Sequence, residues 1–394
     1  MSAAFAFAEE DALFVGYTGA PTLSEGYMAS ACELYIPNCS AYTEMPVTYP
    51  AQFWPLTPDL GNMTFGQSVA EGVADLNNQL MPLLNAGDDV YVYGHSQGVT
   101  VATGEMYALD ALPASQQPSP DQVSFVFEGD PNNPDGGILE RLDGLFIPIL
   151  NIPFNGATPP DTPYPTDIYT GQYDGVADTP RYPLNLLADL NAIMGVKYVH
   201  PLEISYTPQQ IADAVPEAVS PGYTGDTHYF MLLTQNLPLL EPLRQMGGAW
   251  NVIADLIQPD LRVLVDLGYG NIGDSADFAN IPTPASLVEL INPVTVVFDL
   301  AKGAVQGVVA ALVDLGWLPV SDLPDTYPYV PSLDPGLSFD LGQPSQNLLT
   351  LITGALGSLA GYLGLIPSDV AGSVGWDDAG LGLDPTLAAL DPVP

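Results

Sequence analysis

Two rhythms of apolar residues alternate along the first half of the chain. Ala12-Leu13-Phe14-Val15 is a short apolar run closed by the turn-rich Gly16-Tyr17-Thr18-Gly19-Ala20-Pro21, which reads as a strand followed by a loop. Between Ser68 and Leu84, Val69, Val73, Leu76, Leu80 and Leu84 recur at helical spacing, one apolar stripe on an otherwise polar helix. After the turn Asn85-Ala86-Gly87-Asp88, Val90-Tyr91-Val92-Tyr93 is β-branched and aromatic, and Gly94 to Gly98 then leads into a helical pattern through Val101, Met106 and Leu109. A further strand is predicted at Val123-Ser124-Phe125-Val126-Phe127, ended by Glu128-Gly129-Asp130-Pro131. Strands alternating with helices predict a parallel sheet wrapped by helices.

Irregular sequence rich in Pro, Thr and Asp runs from Asn151 to Thr166, the kind of long insertion that often covers a substrate. A strand is expected near Asp167 to Gln172, a helix over Asn185 to Met194, and a capped helix start at Thr207-Pro208. Beyond about Asn280 the texture changes. Ala301 to Leu315 and Asn347 to Leu365 are apolar, Gly/Ala-rich and helical in pattern, with Pro-rich links near Tyr327 to Pro335. The expectation is an α/β-hydrolase domain over 1–280 and a mainly helical extension over 281–394. That extension either packs on the catalytic domain or presents a lipid-facing cap.

Charge narrows the functions open to such a fold. Forty-six acidic residues face six basic ones, Arg141, Arg181, Arg244, Arg262, Lys197 and Lys302, for a formal net charge of -40. Nucleic-acid binding and attachment to anionic headgroups both need clustered Lys and Arg, and neither is expected. The acidity reads as a solvated, self-repelling surface. Cys32 and Cys39, the only cysteines, are too few for a structural zinc site. Their spacing suggests a local disulfide suited to an exported protein, against the alternative of two buried thiols. Met1 to Glu10 lacks the basic start and apolar stretch of a signal peptide. Pro, Asp and Gly break every apolar run, so a transmembrane segment is not expected.

Gly94-His95-Ser96-Gln97-Gly98 between a strand and a helix has the form of a nucleophile elbow, with Ser96 as nucleophile. The Gln97 N–H at the helix N-terminus is one candidate oxyanion donor, and Thr18 in the first loop is the second. A serine nucleophile needs an imidazole, and the chain has only His95, His200 and His228. His95 adjoins Ser96 and should point away from it. The order serine, acid, histidine leaves His200 and His228 as bases, with Asp174 or Asp178 after a predicted strand as the acid. No metal or cofactor is required.

Gly16-Tyr17-Thr18-Gly19-Ala20-Pro21, Gln52-Phe53-Trp54-Pro55-Leu56, the elbow, Gly129-Asp130-Pro131 with Gly136-Gly137, Gln172-Tyr173-Asp174-Gly175, and Asn236-Leu237-Pro238-Leu239-Leu240 with Pro242-Leu243-Arg244 together resemble the PE-PPE domain. This is a mycobacterial family of cutinase-like serine hydrolases, and the similarity spans roughly Ala12 to Ala276. The resemblance implies a Ser-Asp-His triad and esterase or lipase activity on short to medium acyl chains. In some members it implies acyl transfer that builds envelope glycolipids. It also implies an acyl ester or lipid as partner, a secreted or envelope setting, and peripheral contact with lipid. Asp174-Gly175-Val176 followed by His200 is similar in order to the cutinase acid-to-histidine segment, which favours Ser96, Asp174 and His200 and holds His228 in reserve. The family often carries a separate N-terminal helical targeting domain, and no such domain, nor export by that route, is expected from this sequence. A non-catalytic lipid- or envelope-binding protein is the competing reading.

Overall fold

The computed structural model describes residues 10–270, 278–287 and 292–331. They fall into two compact units, one of residues 10–239 with 264–270, 278–287 and 292–293, and one of 240–263 with 294–331.

The first unit opens with β1 (Glu10–Val15), α1 (Glu25–Tyr35), β2 (Thr43–Val47), α2 (Phe65–Ala86), β3 (Asp89–His95), α3 (Gln97–Asp110) and β4 (Val123–Glu128). A short helix α4 (Ile138–Arg141) and a small hairpin of β5 (Phe146–Ile147) and β6 (Ile152–Pro153) follow. Next come β7 (Thr166–Gly171), α5 (Leu186–Tyr198), α6 (Pro208–Ala212), β8 (Val215–Pro216) and β9 (Thr227–Leu232). Seven strands form one sheet in the order β2-β1-β3-β4-β7-β9-β8, parallel throughout except for the β8–β9 edge. The architecture is that of an α/β hydrolase.

Alternation along β1 explains the two-sided core, because a strand sends successive side chains to opposite faces. Leu13 and Val15 join Val90, Val92, Phe125 and the apolar edges of α2 and α3 on one face. Ala12 and Phe14 meet Tyr93 and the α1 side chains Met28, Ala31 and Tyr35 on the other. Burying one such leucine is worth about 1.5–3 kcal/mol. α2 begins in a capping box between Thr64 and Gln67 and ends on Gly87 in the left-handed region, so its ends are fixed by local chemistry. Its fully buried edge runs through Phe65, Ser68, Gly72, Leu76, Leu80 and Leu84, with Val69 and Val73 only partly buried. Cys32 at the end of α1 is joined to Cys39.

The second unit contains α7 (Glu241–Arg244), the first fifteen residues of α8 (Ala249–Asp266), and α9 (Pro293–Asp314) with the segment up to Pro331. The predicted helix at Ala301 to Leu315 is part of α9, whereas Asn347 to Leu365 lies outside the described residues. α9 spans 22 residues and includes an 18-residue stretch of mean hydropathy 1.7, long and apolar enough to cross a membrane by length and composition, with 39% of that stretch buried. Asp299, Lys302 and Gly303, which interrupt the apolar run in sequence, lie within the continuous helix.

Candidate active site

The site is built where β3 turns into α3. Ser96 sits there at φ 55° and ψ −118°, a conformation costly for a residue with a side chain and tolerated where the surroundings over-determine it. The determinants are close contacts on both sides. A Cβ on Gly98 would lie 2.3 Å from the Val15 carbonyl oxygen, and one on Gly94 would lie 3.0 Å from the backbone of Val99. Only glycine lets the turn close so tightly against the exit of β1. Ser96 N–H donates to the Glu128 carbonyl at 3.0 Å, which continues the strand pairing through the turn.

His200 follows α5, and its Nε2 lies 2.8 Å from Ser96 Oγ while its Nδ1 lies 2.7 Å from Asp174 Oδ2. Asp174, fully buried, also accepts the Val176 N–H on Oδ1 at 2.8 Å. With one oxygen held by the backbone, the other is presented to the imidazole. Burial pushes the His200 pKa down, but the Asp174 charge and hydrogen bond together with the Glu128 charge outweigh it, so the net direction is upward.

Asp178, the other acid candidate, does a different job. Its Oδ2 accepts the N–H of Tyr173 at 2.7 Å, a residue held at φ 68°, and burial raises its pKa to about 7. It fixes the bend that delivers Asp174. His228 is not brought to Ser96. It lies near the start of β9, its side chain 61% exposed, with Nδ1 3.0 Å from Asp167 on the paired strand. In a parallel sheet Ser96 and Asp174 follow the C-terminal ends of their strands, and His228 is at the opposite end.

Around the candidate oxyanion donors the packing is polar and buried. Gln97 opens α3, so its N–H has no acceptor within the helix. Its side chain donates to the Gln52 carbonyl at 3.1 Å and accepts from Ser68 Oγ at 3.3 Å. The Tyr49 hydroxyl donates to the Gly16 carbonyl at 2.5 Å and lies 3.2 Å from Gln97 Oε1. The loop after β1 is thereby tied to the start of α3. Thr18 occupies the turn closed by the Ala20 N–H on the Tyr17 carbonyl, and the Tyr17 ring centroid is 5.2 Å from that of His95.

Sequence reasoning missed a buried network behind the imidazole. Glu128, the fully buried last residue of β4, accepts from the Tyr35 hydroxyl at 2.9 Å and from the Tyr93 hydroxyl. Tyr27 Oη lies 3.3 Å from Tyr93 Oη and 2.6 Å from His95 Nδ1. The His95 ring lies 5.5 Å from that of His200, and burial with the neighbouring His200 holds its pKa down at about 3. A neutral imidazole therefore packs beside His200. An acid ending an otherwise apolar central strand was the one sequence signal that could have exposed this network.

A family model described as PE-PPE domain matches residues 40–270. PE family protein PE3 of Mycobacterium tuberculosis is 52% identical over 350 residues, covering 89% of this chain and 73% of that protein. Esterase PE16 of the same organism is 48% identical over 287 residues, covering 72% of this chain and 53% of that protein, so the chain spans only about half of that relative. Diacyltrehalose acyltransferase Chp2, also from M. tuberculosis, is 30% identical over 298 residues, covering 71% and 78%. A solved cutinase-like protein from Cryptococcus sp. shares 20% identity at a TM-score of 0.30, covering 43% of this chain and 80% of that one. With more than half of its length matched by the family model and a relative this similar over most of the sequence, the chain belongs to the PE-PPE domain family.

Proposed function

We propose that the protein is a serine esterase or lipase that forms an acyl-enzyme on Ser96. The observation that carries this reading is the chain of hydrogen bonds from Ser96 through His200 to Asp174, on a strained turn between a strand and a helix. His200 Nε2 accepts the Ser96 proton as Oγ attacks the ester carbonyl, and Asp174 stabilises the imidazolium and fixes its tautomer. The oxyanion of the tetrahedral intermediate is held by the Gln97 N–H and by Thr18. His200 then gives its proton to the leaving alkoxide, and the alcohol departs. Water, deprotonated by the same imidazole, releases the acid and restores Ser96. Asp178 and Glu128 act behind these groups, the first by holding the Tyr173 bend and the second, whose own pKa burial raises to about 7, by adding negative charge near His200 once it is ionised. Acyl transfer is the second reading, supported by the relative named Diacyltrehalose acyltransferase Chp2. It uses the same acyl-enzyme with a sugar hydroxyl in place of water. The relatives support a mycobacterial envelope setting for either activity.

A fluorophosphonate probe tests the central claim, because it reacts with an activated serine. Wild type should label at one site and hydrolyse a short-chain p-nitrophenyl ester, and Ser96→Ala should do neither while staying folded. Labelling that persists in Ser96→Ala, or its absence from folded wild type, would favour a binding module.

A further inference from the structure

The second unit is built with its polarity inverted. Every exposed residue of α9 after its opening proline is Val, Phe or Ala, namely positions 294, 297, 298, 301, 304, 305 and 308. At 100° per residue they fall within an arc of roughly 120°. Val294, Val297, Phe298 and Val305 are each 65% exposed or more. The face that is buried instead carries Asp299, Gln306 and Asp314 among glycine, alanine and a single valine. α8 repeats the pattern. Ile253, Leu256 and Ile257 are exposed, while Asp255, Gln258 and Arg262 are buried. Arg244 lies 2.6 Å from Asp255 and donates to Gln258 at 2.9 Å in the interior. The two helices meet closely, because a Cβ on Gly303 would lie 2.4 Å from Asp260 Oδ1 and one on Gly307 would lie 2.0 Å from the Leu256 carbonyl oxygen. Small residues four apart and polar groups turned inward are how helices associate where the surroundings are apolar.

We propose that the exposed face of α9 docks on an uncharged lipid surface. The charge of the molecule selects this occupant. The exposed arc carries no charged or hydrogen-bonding side chain, and only the half-buried Thr295 and Lys302 flank it on one side, so it offers a protein partner few of the polar contacts that ordinarily rim an interface. A second copy would bring a formal charge of -40 against -40, which opposes self-association. Anionic headgroups are repelled by the same excess, and the half-buried Lys302 beside the arc is the single basic residue of α9 to offset it. Acyl chains under neutral headgroups ask for neither charge nor hydrogen bonds. Trp317, 65% exposed just beyond the helix, is the residue type that settles at the boundary between headgroups and chains. The buried Asp299, Gln306 and Asp314 make α9 a helix that lies in the interface rather than one that crosses it. This inference does not depend on the chemistry of Ser96.

The test is flotation of the full chain with phosphatidylcholine vesicles, alongside vesicles rich in phosphatidylglycerol. Wild type should float with the neutral vesicles and less with the anionic ones. The double variant Val297→Asp, Val305→Asp should partition about tenfold less or worse, and Val297→Leu, Val305→Leu should partition more. Far-UV circular dichroism and Tm should be equal in all three, which shows that each is folded and keeps this result separate from the reading of Ser96. Wild type that stays at the bottom of the gradient overturns the proposal. So does a wild-type dimer, seen by light scattering, that the aspartates convert to monomer without any change in flotation.

Discussion

The sheet unit and the helical unit of this chain solve the burial problem in opposite ways. In the first, Leu13, Val92, Phe125 and Leu76 are fully interior in large apolar clusters, with Asp11, Glu105, Asp130 and Glu140 also buried beside them. In the second, Arg262, Asp255 and Asp314 are interior and Val294, Val297, Val305 and Val308 of α9 are outside. Hydrophobic burial holds the first together against water. Buried ion pairs add little net stability in water, since desolvation offsets most of their attraction, so the second unit is organised for surroundings other than water on one side. The difference separates the two units: one holds the candidate active site, and the other presents an apolar surface.

The sharpest way to break this division is to move the chemistry. His200→Ala should lower kcat/KM for a soluble ester by about 10³-fold or more, as loss of a triad member does, while His228→Ala should stay within a few-fold of wild type. A dead His228→Ala beside an active His200→Ala, assayed on one substrate, would reverse the assignment of the base.

Stability offers the next contrast. Leu13→Ala in the sheet core should cost about 2–5 kcal/mol in denaturant unfolding, whereas Val297→Ala on the exposed face of α9 should stay within about 0.5 kcal/mol. A large loss at Val297 would mean that the face is packed in water and would weaken the contrast. Reduction of the Cys32–Cys39 bond, which closes a short loop, should lower stability by at most about 3 kcal/mol, read as a modest fall in Tm.

Two pH effects of smaller size distinguish the buried groups of the two units. His200 must be neutral to accept a proton, and its pKa is raised in the folded protein, so activity is lost as pH falls through a value above the ordinary 6.5. Glu128→Gln removes one of the charges that raise it and should move the acid limb of kcat/KM to lower pH. An unmoved limb would show that Glu128 serves packing alone. In the helical unit, burial and the neighbouring Asp255 carboxyl raise Asp314 above the carboxylate range. The unfolded chain therefore releases that proton at lower pH than the folded one. Stability from this group is present below the unfolded pKa and declines as pH rises toward the folded value. Asp314→Asn should flatten that part of the pH–stability curve.

Local sequence carried much of the catalytic half. The β1, β3 and β4 runs, the stripe on α2 and the elbow around Ser96 were legible because alternation, helical spacing and paired glycines are properties of a few adjacent residues. β2 and β9 were not anticipated: Pro46 sits inside β2, and β9 carries His228 amid polar neighbours, so neither stands out as an apolar run. The choice between Asp174 and Asp178, four residues apart, was closed by which carboxyl the Tyr173 bend turns toward His200.

Sequence by itself determined the class of fold, the strand-turn-helix elbow around Ser96 and the net charge, since each follows from composition or from short-range spacing. Tertiary structure decided which imidazole meets Ser96, because 104 residues separate the two in the chain and only the packing of α5 and the position of each strand end bring one of them within 2.8 Å. It also decided which face of α9 is buried. A helical period marks a stripe but not the side on which water lies, and that depends on where α8 places its own charged groups.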